Sequence, residues 1–575
     1  MKINLKYILF LLLAIQFSIA QKKDENIGTE VVNVVKPYTP TISDAFKIKE
    51  IVPQQDDIVA KKEVLTYTIF SIPVASTFNP SKGVAANVDK AQQEKLFANN
   101  ATFAAGNYGT INTQLYVTTK LENDKYISAN FRHLSSQGGI KNTYLKNNFF
   151  DTALDATYGF KTKALAWKVN LGIQNQMYNW YGVDQLVAIP TIMDKIDPKQ
   201  SYITFAFGGQ LQLLESILKE TDVSFTHFAD GYKSTENRLV VQPKVALVIL
   251  NEKLKLNFNF DYLKGAFNNE YLGFTPLNYG FTNLGFQPNF TIIKKDLSLN
   301  VGISMIYSVA NEAGKNKFYM YPNITASYKV VGDFMIAFAG AEGGLNQNSY
   351  HNFVQLNNFV APTLTILPTD KKFDIYAGLR GKLSNSIGYN AKASLVNEDY
   401  KPLFKNSIFK YDSVSNAGFT FGNSFEVIYD TVKTIAISGE LSADFSQNVT
   451  FKVEGIFSKY VLSNQTEPWN LPNLQINSNL DFKITEKWNA GIKLFFIGER
   501  KDQFTQVSNT ALYIPITKTL DGYFDLNARI NYNHNKQLGF FIKGNNLANQ
   551  SYQRFLNYPV QGIQALLGAN YKFDF

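Results

Sequence analysis

Polar and apolar residues alternate with period two along much of this chain. From Ile563 to the end, Ala565, Leu567, Ala569, Tyr571, Phe573 and Phe575 share one parity, while Gln564, Gly568, Asn570, Lys572 and Asp574 take the other. Leu254–Tyr262, Leu297–Met305 and Phe524–Tyr532 alternate in the same way. A strand sends successive side chains to opposite faces, so each run has one apolar and one polar face. An apolar face for lipid, a polar face for water and an aromatic at the interface make a transmembrane β-strand. Tight turns such as Glu122–Lys125, Lys294–Asp296 and Asn535–Gln537 join strands at one end. Connections 137–149, 181–199, 345–371, 399–423 and 499–518 are longer and lie at the other. That asymmetry fits short periplasmic turns and long extracellular loops. Strands starting near 65, 101, 125, 150 and onward to 562 number about 22, the size of large plugged transporters. The expected fold is all-β: a closed antiparallel transmembrane β-barrel over 65–575, least regular at Leu65–Phe78 and 403–432.

The front of the chain agrees. Lys2 and Lys6 precede an apolar run, Tyr7–Phe17, and then Ser18-Ile19-Ala20. This reads as a secretory signal over 1–20, too short to span as a helix. Gln21 rather than Cys follows the expected cut, so a lipoprotein is not expected. Residues 21–64 read as an extended periplasmic segment, since the prolines in Lys36-Pro-Tyr-Thr-Pro40 disfavour a helix or a central strand.

Composition sharpens the membrane reading. No later stretch approaches 18 consecutive apolar residues, yet 46 Phe and 32 Tyr lift the aromatics to 14%. Two interfacial aromatic girdles per barrel require that. The absence of Cys excludes thiol chemistry, thiolate metal sites and disulfides. A net charge of +9, spread along the chain, does not call for nucleic acid.

Candidate chemistry is sparse. His133, His227, His351 and His534 lie apart, without the spacing of a metal site. His133 beside Ser135 and Ser136 is the one arrangement a hydrolase could use, and abundant Ser at strand ends explains it as well. Gly340–Gly344 resembles a phosphate loop, but no helix start follows. No cofactor, metal or catalytic residue is expected, and the chain reads as a non-enzyme. Lys255, Asn257, Asn259, Asp261, Asp525, Asn527, Arg529 and Asn531 fall on the lumen parity. The long loop 345–371 holds Tyr350, His351, Phe353 and Phe359; as exposed aromatics they would form a partner-binding surface or an interface anchor.

One stretch carries a family likeness. Phe541-Ile-Lys-Gly-Asn-Asn-Leu-Ala-Asn549 is followed by Tyr552, Asn557-Tyr-Pro559, Gly562 and the terminal Phe575. This resembles the C-terminal signature of TonB-dependent receptors, although Ile563 stands where that family often has Arg. The resemblance implies an outer-membrane barrel engaged in transport. The ending also resembles the terminal strand of Gram-negative outer-membrane barrels, which implies that Tyr571, Phe573 and Phe575 form a signal for the barrel assembly machinery. Near the front, Thr29-Glu30-Val31-Val32-Asn33-Val34-Val35 is similar to a degenerate TonB box. A TonB-like or other periplasmic envelope protein would pair with it by strand addition. The family's folded plug has no room between Val35 and Leu65. Loops folded into the lumen, a partner, or nothing would then close it. Transport is the expected function, with an accessory barrel subunit of a larger envelope complex as the alternative. Outer-membrane lipid is the expected surrounding.

Overall fold

The computed structural model describes residues 97–575, apart from 185–192, 250–251, 313, 411–416 and 508–512. In hydrocarbon a strand must find every backbone partner in its neighbours, because lipid offers none. The chain meets that condition with one 22-stranded sheet. The seam pairs the first strand, Asn99–Gly106, antiparallel to the last, Gln564–Phe573. Among the described residues no helix is long and apolar enough to cross a membrane, and the crossing is made by strands. The closed sheet and its apolar exterior make this an outer-membrane barrel.

The alternation falls on the two faces as the sequence indicates. Leu567, Tyr571 and Phe575 stand exposed on the outside. Asn570 lies on the inside and donates across the seam to Asn100 Oδ1 at 2.7 Å. Many of the inward polar groups bind one another. Arg238 grips Asp261 through bonds of 2.9 and 2.7 Å, Lys244 reaches Glu220 at 2.9 Å, and Arg529 reaches Asp481 at 2.8 Å. Both chain directions return to the short-turn end, where Asn99 opposes Phe573. By the outer-membrane pattern that end is periplasmic.

The number 22 matches expectation, but the strands that make it differ. The expected strand at Leu65–Phe78 lies outside the described residues. The stretch from 101 to 120 is two strands, Asn99–Gly106 and Thr110–Lys120, separated by a 3-10 turn at Asn107–Gly109. Tyr108 and Gly109 there take left-handed backbone, φ 58° and 59°. Outward residues keep odd parity through this turn (Phe103, Ile111, Leu115), so the alternation runs on unbroken and conceals it. The irregular region 403–432 also resolves differently. Strands Ile387–Asn406 and Phe425–Ser446 run on until Asn406 pairs with Phe425, past a bulge between Glu398 and Lys401. At 20 and 22 residues they exceed the roughly 9–11 that a membrane strand needs, and so stand above the bilayer.

Leu171, 58% exposed at the middle of strand Leu165–Asn179, tests the outward assignment. Leu171→Arg should cost about 2–4 kcal/mol in refolding into bilayers. Lys255→Arg, on the lumen parity, should stay within about 0.5 kcal/mol of the parent.

Candidate functional site at the outer mouth

The inner wall changes character along its height. On strand Glu252–Phe267 the lumen parity runs Lys255, Asn257, Asn259, Asp261 and then Leu263 and Phe267, both buried. Tyr202, Phe228 and Tyr279 on neighbouring strands are buried at the same level. The segment between strands Met335–Asn346 and Thr369–Ser384 packs there. It contains a short helix, Tyr350–Leu356, started by Ser349, whose side chain accepts from Asn352 N at 3.1 Å. Tyr350, Phe353 and Val354 fall on one face by helical spacing and are buried, while Asn352, Gln355 and Leu356 remain exposed. Glu236 accepts from Tyr350 N at 2.6 Å and His351 N at 3.1 Å, and Asp230 accepts from the Tyr350 hydroxyl at 2.8 Å.

Beyond the helix the chain meets the far wall. Phe425 N donates to Phe359 O at 3.0 Å, and Ala361 N to Phe425 O at 2.9 Å. Tyr202 on the sixth strand and Phe425 on the sixteenth thus belong to one buried cluster, although nearly half the ring separates them. Tyr558, from the loop before the last strand, stacks on Phe359 at 3.8 Å, meets Tyr181 edge-on at 4.8 Å and donates its hydroxyl to Asn423 O. Asn423 Nδ2 in turn donates to Trp180 O and Gly418 O, both at 2.8 Å. Trp180, Tyr232 and Phe419 form a second aromatic group, with ring centroids 5.2–5.5 Å apart. Gln561 Nε2 ties the last loop to Ser136 Oγ at 2.8 Å. Each large apolar ring so buried contributes about 1.5–3 kcal/mol. The loops therefore bridge the outer mouth with a hydrophobic core of their own.

Asp502 fastens three loops at the rim. It lies in the hairpin Arg500–Val507/Tyr513–Leu520, outside the barrel sheet, and is fully buried. Its carboxylate accepts from Asn406 N at 2.9 Å, Asn470 Nδ2 at 2.8 Å and Gln503 N at 2.8 Å. Burial pushes its carboxyl up to about 6 despite those donors.

The residues singled out from sequence fare unequally. Tyr350 and Phe353 were expected as exposed contact groups; they are 0% and 1% exposed, because the helix turns them into the loop core. His351 packs against Phe228 with ring centroids 4.8 Å apart and the rings tilted by 36°. Burial, and after it Arg238, holds its imidazole down to about 4, so the ring stays neutral near physiological pH. Tyr571, Phe573 and Phe575 form a row at the last strand's end, with centroids 5.7 and 5.5 Å apart. Glu30–Val35 lies outside the described residues. Both ring nitrogens of His133 are taken by hydroxyls, Thr152 at 2.7 Å and Ser135 at 3.0 Å, an arrangement with no carboxylate to orient a base. Among the described residues no group of three or more His, Asp or Glu side chains is placed to hold a metal. Sequence reasoning missed Asp230, Glu236, Asp502, Asn423 and Tyr558. Only Tyr558 carried a signal, within Asn557-Tyr-Pro559.

No protein-family model matches the chain, and no curated protein does. Solved structures do. The FrpB iron transporter of Neisseria meningitidis superposes with a TM-score of 0.63 at 11% identity, over 84% of this chain and 82% of that one. The ferric-catecholate import receptor Fiu of E. coli K12 gives 0.61 at 11% identity, with the same coverages. The copper transporter OprC gives 0.58 at 12%, again over 84% and 82%. The barrel has the fold of TonB-dependent outer-membrane receptors.

The raised Asp502 carboxyl sets a pH dependence at the rim. A folded value above the ordinary 3.8 favours the protonated, folded form, so this contribution is fully present below about pH 4 and lost as pH rises through about 6. Limited proteolysis of loop 498–522 should accelerate from about pH 4 to about pH 7, with about 3 kcal/mol at stake. Asp502→Asn should flatten that profile; an unchanged slope would remove Asp502 as its source.

Proposed function

We propose that the chain is an outer-membrane transport barrel whose outer mouth is shut at rest by its own loops. The observation that carries this reading is the aromatic core joining the sixth and sixteenth strands through the Phe359–Tyr558 stack. The polar wall below it supports passage of a hydrated solute once the core parts. The likeness to iron and copper transporters agrees with transport, and lumen charges of both signs give no reason to extend their cargo to this chain. The segment Thr29–Val35 is proposed to engage a TonB-like or other periplasmic protein, and Tyr571, Phe573 and Phe575 the assembly machinery. Outer-membrane lipid covers the apolar exterior.

A second reading has its own support. The loop core is packed like a domain interior, with Val360, Ala361 and Phe425 fully buried, which suits a permanent seal in an accessory subunit of an envelope complex. Pull-down from native membranes separates the two: stoichiometric envelope partners favour the accessory role, and a lone barrel favours transport.

In planar bilayers the intact protein should conduct little, and replacement of 350–366 by a flexible linker should give large, steady openings. Equal conductance of the two would sink the closure. Deleting Phe575 should reduce the amount of folded, heat-modifiable barrel in the outer membrane; normal amounts would count against the terminal signal.

A further inference from the structure

We infer that Glu236, seconded by Asp230, is the latch that holds the closure shut. The inference rests on the resting closure proposed above and assigns the residues that control it. The helix Tyr350–Leu356 hangs from the wall by its first two residues. Glu236, 2% exposed on strand Thr235–Ile249, accepts from Tyr350 N, His351 N and the Tyr279 hydroxyl, the last at 2.8 Å. Asp230, at the end of strand Leu218–Asp230, accepts from the hydroxyl of the same Tyr350. The nearest cation, Arg238, stands two residues along the same face, and its Nε and Nη2 are both committed to Asp261. Glu236 is thus held by neutral donors alone, two of them from the loop.

Rigid strands supply the acceptors and the loop supplies the donors. Two backbone N–H groups at the helix start have Glu236 as their partner, and a buried donor without a partner is costly. The arrangement also suits reopening. Once the helix lifts, both carboxylates regain water, which offsets part of the cost of uncovering Phe228, Leu263 and Phe267 beside them. The Phe359–Tyr558 stack seals the mouth, and the carboxylates set where the helix sits beneath that seal.

The test is conductance of the full-length protein, with heat-modifiability as the check on folding. Glu236→Ala removes the acceptor of three donors and should raise the open probability about tenfold or more. Glu236→Gln keeps one acceptor for Tyr350 N and should fall between parent and Ala, an order that a general loss of packing would not produce. Glu220→Ala, a lumen carboxylate bonded instead to Lys244, should leave the closure unchanged. Should Glu236→Ala fail to fold, Tyr350→Phe, which removes the loop's hydroxyl donor to Asp230, serves in its place and should also raise the open probability. A folded Glu236→Ala or Tyr350→Phe that stays as shut as the parent, while replacement of 350–366 opens the barrel, would overturn the latch and leave the closure standing. If that replacement also stays shut, the closure fails and the latch with it.

Discussion

Backbone hydrogen bonds that lipid cannot replace govern the rest of this molecule. They force every strand to be flanked on both sides, and the solution is a closed ring of 22 strands. A ring of that size cannot be filled by its own inward side chains, as a small barrel can. It must be open, plugged or roofed. Here the outer mouth is roofed by loops that belong to the barrel chain.

The roof needs what any domain interior needs, and it is built from a different register of the same strands. Lumen positions that are polar lower down (Asn257, Asp261) become Leu263 and Phe267 near the mouth, where the helix lies on them. Strands 387–406 and 425–446 overshoot the bilayer and deliver Phe425 to the helix segment. Tyr558 to Phe359 and Asn423 to Trp180 are contacts across the ring, while Gln561 ties the last loop to Ser136 on the nearby third strand. Carboxylates sit at the points where loops meet walls or each other, Glu236 under the helix and Asp502 at the rim. An aromatic core thereby acquires fixed polar attachment points, each satisfied by backbone, amide or phenol donors.

Barrel class, face assignment and loop asymmetry were legible because they depend on period-two alternation and on local turns. Leu567, Tyr571 and Asn570 fall on the faces their parity indicates. Alternation alone could not mark the break at Asn107–Gly109, since outward parity is the same on both sides of it. The glycines of Gly106-Asn-Tyr-Gly109 were the available clue. The site was hidden for another reason. Tyr350, Phe353 and Phe359 are plainly aromatic in the sequence, but whether they are exposed depends on Tyr202, Phe425 and Tyr558, far away in the chain. Glu236 reads as one more lumen carboxylate until the helix is laid over it.

The claim that the loops close the outer mouth while the lumen faces the periplasm is tested most directly by access to the exposed face of the helix. The chain has no Cys, so Asn352→Cys provides a single thiol there. A maleimide on a polymer too large for general porins, added to intact cells, should leave this thiol unmodified. The same reagent should label it once the periplasm is opened. Equal labelling in intact and opened cells would contradict the closure.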